Sequence, residues 1–158
     1  MKDLDEITEV EDRYAFPSGQ PSLGEAFLLL RERWMSGARD RETGLRLMFL
    51  AWYACSEPNT LTGLPLERTD SIFGEVFRDL GGEHSEDAEL LFAVAVMAGK
   101  NSLPWCCGDE ATWLEVAARC RERFKALRPG GFAPADFRGR GAYGDYFAQM
   151  VASSSAAG

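Results

Sequence analysis

Two adjacent cysteines, Cys106 and Cys107, are the residues of this chain whose types most directly suggest chemistry. They follow Trp105 and come shortly before Asp109, the predicted start of a helix. A thiol near a helix N-terminus has a lowered pKa, because the helix dipole stabilises the thiolate that acts as nucleophile. The alternative is a tight apolar turn at the helix entrance, which we favour because Asp109 brings negative charge close to the thiols. Trp105, Cys106 and Cys107 remain candidate binding residues.

Metal and hydrolytic chemistry lack their usual residue sets. His84 is the single histidine, and the four cysteines do not include the two spaced pairs typical of structural zinc. A non-haem iron site with two histidines is excluded within one chain, and a G-x-S-x-G nucleophile elbow is absent. The sequence therefore predicts no metal, no cofactor and no catalytic residue, and it favours binding over catalysis.

A polar stripe runs along an otherwise apolar predicted helix, over residues 40–57. Four polar residues fall close to one face of this helix, namely Glu42, Arg46, Tyr53 and Glu57. A buried arginine must be paired, since an isolated charge out of water is costly. One interpretation is an anion or substrate pocket built on Arg46, Tyr53 and Glu57. The other, which we favour, is a Glu42–Arg46 pair on a solvent-facing edge of the helix.

The segment 137–147 interleaves two arginines and three glycines with aromatic residues. Arg138, Arg140 and Tyr143 could bind an anion or RNA, since guanidinium groups contact phosphates and aromatic rings stack on bases. A formal net charge of -8 argues against nucleic acid as a partner. The interpretation we favour is a glycine-hinged loop that docks the last helix through its aromatic rings.

Length and composition predict a single folded domain. The chain has 158 residues, 46% hydrophobic and 27% charged, which suffices for one core without disulfides or metals. We expect a helical domain over residues 1–152, with an acidic N-terminal arm at 1–20 and a flexible tail at 153–158. The acidic N-terminus lacks the pattern of a signal peptide, so we predict a cytoplasmic location, no membrane partner and four free thiols.

Helix start and stop signals predict an all-α bundle of five or six helices, because alternating strand patterns are absent. Two of them, centred on residues 45–55 and 90–98, are apolar on nearly every side and are expected to be central. Ser22 and Glu25 have capping-box spacing. The fifth helix carries an apolar stripe that includes Cys120, Phe124 and Leu127. The predicted helices cover residues 22–36, 40–57, 71–80, 85–98, 109–128 and 143–152.

These patterns favour a protein that acts by binding another protein, as an adaptor, inhibitor, immunity-type or regulatory partner. A groove or homodimer face could be built from Trp34, Trp52, Trp105 or Trp113. One alternative is an enzyme or ligand-binding protein with a pocket inside the bundle. The other is an anion or RNA binder that uses the basic C-terminal third.

Overall fold

The computed structural model describes residues 1–15, 19–65, 69–99 and 109–157. These residues form helices and loops without a strand, which confirms the predicted all-α class. The described part of the chain has eight α-helices where five or six were predicted. They are α1 (Leu4–Asp12), α2 (Leu23–Met35), α3 (Arg41–Ser56), α4 (Asn59–Thr62), α5 (Thr69–Asp79), α6 (Ala88–Ala98), α7 (Glu110–Leu127) and α8 (Gly141–Ala157).

Helix α1 lies within the segment predicted as an acidic arm. Asp3 and Glu6 form a reciprocal capping box, in which each carboxylate accepts from the other residue's backbone N–H at 2.9 Å. Ile7 and Val10 are fully buried, and α1 packs against α2 and α8. The acids that suggested a solvated arm therefore belong to a helix whose apolar face is part of the core.

Helix α3 is the centre of the bundle, as its apolar pattern predicted. Every residue from Thr43 to Ala54 is buried, and α3 contacts α2, α5, α6 and α8. Phe49 lies within ring-packing distance of aromatic residues on α3 and α8, among them Tyr53 at 5.1 Å and Tyr146 at 5.4 Å between centroids. Such pairs add to the stabilisation from area burial alone.

Helix α6 is less enclosed than predicted. It packs mainly on α7 and touches α3, and most of its residues are buried. Phe92 and Val96, however, are half-buried on one side. The physical reason is that the bundle has no further described helix over this face, so its aromatic side is covered only in part.

Two helix ends differ from the sequence prediction. Ser22 precedes α2 with helical backbone angles, and its hydroxyl caps no backbone N–H, so the predicted capping box is wrong. Helix α6 was predicted to begin at Ser85, but it is capped by Asp87, which accepts from the N–H groups of Glu89 and Leu90.

The last helix is longer than the predicted 143–152, because α8 begins at Gly141 and continues to Ala157. The hydroxyls of Ser153 and Ser155 donate to carbonyl groups four residues earlier, at 2.9 and 3.1 Å. These serines therefore satisfy their hydroxyl groups within the last turns of the helix.

Candidate functional site

Arg46 is buried and paired with an acid from α1. Its side chain is 2% exposed, and Nη2 donates to Glu11 and, at 2.9 Å, to the hydroxyl of Thr8. The predicted Glu42–Arg46 pair is wrong, because Glu42 pairs with Arg140 instead. The positive charge of Arg46 is therefore paired inside the bundle. One interpretation of the sequence had been that Arg46 binds an external anion in a pocket.

Glu11 on α1 is a buried carboxylic acid that was not among the candidate residues predicted from the sequence. Its carboxylate faces Arg46 and the N-terminal end of α8, where Gly141 has a φ of +66°. A side chain at Gly141 would place its Cβ 2.7 Å from Glu11 Cδ. Burial raises the pKa of Glu11 to about 7, although the nearby Arg46 and the backbone N–H of Ala142 act to lower it.

This raised pKa makes folding stability depend on pH. The folded state holds the Glu11 proton more tightly than the unfolded chain, so the contribution is complete below about pH 4.5 and is lost as the pH rises toward 7. We expect the free energy of unfolding of the wild type, measured by urea titration relative to Glu11→Gln, to fall by roughly 3 kcal/mol across this interval. A difference between the two proteins that is constant with pH would contradict this assignment.

Arg140 and Tyr143 form a second polar network with acids of α3 and α6. Arg140 donates to both carboxylate oxygens of Glu42, at 3.0 and 2.7 Å, and lies 2.7 Å from Glu89. The Tyr143 hydroxyl donates to Glu89 at 2.7 Å; burial, followed by the charge of Glu89, raises the pKa of Tyr143 well above its usual range. The network fastens the start of α8 to the starts of α3 and α6. Arg138 is exposed.

Tyr53 and Glu57 lie further along the chain than Arg46, at the C-terminal end of α3. Tyr53 is 3% exposed and its hydroxyl oxygen lies 3.5 Å from that of Tyr14. Burial raises the pKa of Tyr53, and hydrogen bonding to Tyr14 adds to the effect. Glu57 is half-buried at the end of α3. Arg46 and Tyr53 therefore contact different residues of the N-terminal segment, whereas Glu42 contacts Arg140.

The cysteines give no described reactive centre. Trp105, Cys106 and Cys107 lie outside the described residues. Cys120 is fully buried, as predicted, and burial raises the pKa of its thiol to about 11. Cys55 is disulfide-bonded, so the prediction of a thiol there is wrong. Within the described ranges, no three His, Cys, Asp or Glu side chains are grouped as a metal site would require.

An apolar recess lies between α6, α7 and α8, with a volume of about 440 Å³. Phe92 lies 5.2 Å from Phe124 and 4.9 Å from Phe132 between ring centroids, and all three rings are half-buried. Buried Phe137 and Phe147 support them from beneath. This recess, the phenylalanine groove, is lined by Phe92, Val96, Phe124, Phe132, Met150 and Val151.

Basic side chains follow the groove along α7. Arg121, Lys125 and Arg128 are exposed and recur at helical spacing beside Phe124. Arg121 donates to the carbonyl of Ala95 at 3.4 Å, and neither it nor Lys125 forms an ion pair with a described residue. Arg128 pairs with Asp136 at 3.1 Å. This side of the groove thus carries positive charge on a protein that is acidic overall.

The groove was not predicted from the sequence, because Phe124 and Leu127 fall on one continuous apolar stripe. Phe124 is half-buried and Leu127 is 43% exposed. The available signal was the abundance of phenylalanine, 10 in the chain, together with Gly130–Gly131–Phe132 directly after α7. Such a pattern can close a core or line a groove, and spacing does not distinguish the two.

Comparisons with protein-family models, with curated proteins and with solved structures find no match to this chain. Among the described helices, none combines the length and apolar character that crossing a membrane requires. The candidate site therefore stands on its geometry alone.

Proposed function

We propose that this protein acts by binding another protein, and that the phenylalanine groove receives an amphipathic segment of that partner with acidic residues beside its apolar ones. The observation that supports this most directly is the continuous, half-exposed surface of Phe92, Phe124 and Phe132. Contiguous exposed apolar surface is typical of interaction sites. The cytoplasmic location stays a prediction.

The shape of the groove favours a peptide segment over an enclosed small molecule. Its rings stand on three different elements and each keeps a solvent-facing edge. Grooves of this kind bind the apolar face of an amphipathic helix through residues spaced three and four apart. Met150 adds a flexible side chain that can adjust to different apolar partners.

Charge distinguishes the partner we propose from other apolar segments. Arg121 and Lys125 lie beside the groove without an acidic counterpart in the described structure. Acidic residues that flank the apolar face of a partner would meet these groups, which raises the association rate and selects against basic segments. A catalytic function has less support, since Arg46 and Tyr53 are buried and already paired.

The test is a selection of helical peptides from a random display library against the full-length protein. We expect the enriched peptides to combine apolar residues at helical spacing with acidic flanks. Phe132→Asp should weaken their binding tenfold or more by fluorescence anisotropy, because it places a carboxylate among the rings, whereas Leu114→Asp, at a position on α7 that is 42% exposed, should not. Added salt should weaken binding to the wild type.

Three outcomes would overturn the proposal. The first is a library that yields no binder, and the second is a set of peptides that bind Phe132→Asp and Leu114→Asp equally well. The third is a homodimer, seen by sedimentation, that Phe132→Asp dissociates, which would assign the groove to a second copy of the chain. Circular dichroism of both variants establishes that each keeps its helical fold.

A further inference from the structure

A second cavity, between α2, α3 and α5, has the features of a small-molecule site. Its volume is about 170 Å³, close to that of an engineered apolar cavity of about 150 Å³ that binds benzene. Leu47 and Val76 form fully buried walls, Ile72 is half-buried, and Met35 stands exposed beside it. We infer that this cavity, the Trp34 cavity, binds a small zwitterion with an apolar side chain, such as leucine.

Trp34 lines this cavity and has an indole N–H without a hydrogen-bond partner. The residue is 2% exposed, and its indole Nε1 atom is buried. A buried tryptophan N–H usually finds an acceptor, because leaving it unpaired costs the desolvation of the group. Because Trp34 lines the cavity, its indole signal can report on a bound ligand.

Two opposite charges line the same cavity without neutralising each other. Arg31 of α2 and Glu75 of α5 are both half-buried, and neither forms an ion pair with a described residue. A guanidinium complements a carboxylate and a carboxylate complements an ammonium group. An α-amino acid presents both charges on one carbon, so its apolar side chain can enter between Leu47 and Val76 while its charged groups remain at Arg31 and Glu75.

The ligand class can be tested with three molecules that share one carbon skeleton. Leucine carries both charges, isocaproate lacks the ammonium group and isoamylamine lacks the carboxylate. We expect leucine to bind about tenfold more tightly than either analogue by calorimetry. In protein labelled with ¹⁵N at tryptophan, the indole N–H signal of Trp34, assigned by its loss in Trp34→Phe, should shift on titration with leucine.

Charge-removing variants then assign each end of the ligand. Arg31→Gln should weaken leucine and leave isoamylamine unchanged, whereas Glu75→Gln should weaken leucine and leave isocaproate unchanged. Glu32→Gln, at an exposed acid next to Arg31, is the matched control and should alter none of the three. These positions are half-buried or exposed, so the variants are expected to keep the fold.

The inference fails if leucine shifts no indole signal at millimolar concentration. It also fails if isocaproate or isoamylamine binds as tightly as leucine, or if Glu32→Gln weakens leucine as much as Glu75→Gln does. All of these readouts are independent of the phenylalanine groove, which lies between α6, α7 and α8.

Discussion

Replacing Arg46 with methionine is expected to lower the free energy of unfolding at pH 7 by about 3–5 kcal/mol, since the partner acid is then left buried and unpaired. Glu11 and Arg46 are each 2% exposed, and Glu11 has no route to water without opening the helix packing. The loss should be smaller at pH 5, where protonated Glu11 no longer needs a cation. Urea titrations at the two pH values measure both effects.

The double variant Glu11→Leu/Arg46→Met tests whether the charges of this buried pair or the volume of its side chains stabilise the fold. Because Glu11 Oε1 and Arg46 Nε have no hydrogen-bond partner, the native pair is incompletely satisfied. Replacing both groups with apolar side chains should therefore recover most of the lost stability. Arg119→Met, at an arginine whose side chain is 52% exposed, is the control and should leave the free energy of unfolding close to that of the wild type. A double variant no more stable than Arg46→Met would contradict this account.

The substitution Gly141→Ala is expected to destabilise the protein by about 2–4 kcal/mol, through two effects at one residue. The first is backbone strain, because Gly141 has a φ of +66°, which favours glycine. The second is a steric clash, since the added Cβ would lie 2.7 Å from the Cδ atom of buried Glu11. Glu11 is held by Arg46 and cannot turn toward solvent. Thermal and urea unfolding measure the loss.

Gly139→Ala is the matched control for this prediction. Gly139 has a φ of +74°, and a Cβ there would meet nothing within 4 Å. It should show the backbone strain alone, about 1–2 kcal/mol. Equal losses for Gly139→Ala and Gly141→Ala would mean that the contact with Glu11 contributes nothing. Adding Glu11→Ala should relieve the steric part at Gly141 and leave the strain.

The candidate polar residues show how far spacing along one helix can predict contacts. Arg46 was correctly expected to need a partner, because a charge within a helix that is apolar all round must be neutralised. Spacing on α3 pointed to Glu42, yet Glu42 pairs with Arg140, which is 98 positions away. Helical periodicity predicts which residues share a face. It does not predict which other helix covers that face.

The phenylalanine groove illustrates a second limit of the same kind. The apolar stripe of α7 was correctly predicted at Cys120, which is buried. Further along the same stripe, Phe124 is half-buried and Leu127 is exposed. A stripe is buried only as far as neighbouring helices extend. The point at which α6 and α8 stop covering α7 depends on how these helices pack.

The sequence by itself determined the all-α class, the central position of α3 and the aspartates that begin α3 and α7. These features depend on local backbone preferences and on residue spacing within one segment, which operate in any context. The tertiary structure decided that Glu11 meets Arg46, that Arg140 meets Glu42, and that Trp34 faces a cavity with its N–H unused. Those outcomes depend on contacts between distant segments, where burial makes each charge or donor take the nearest complementary group.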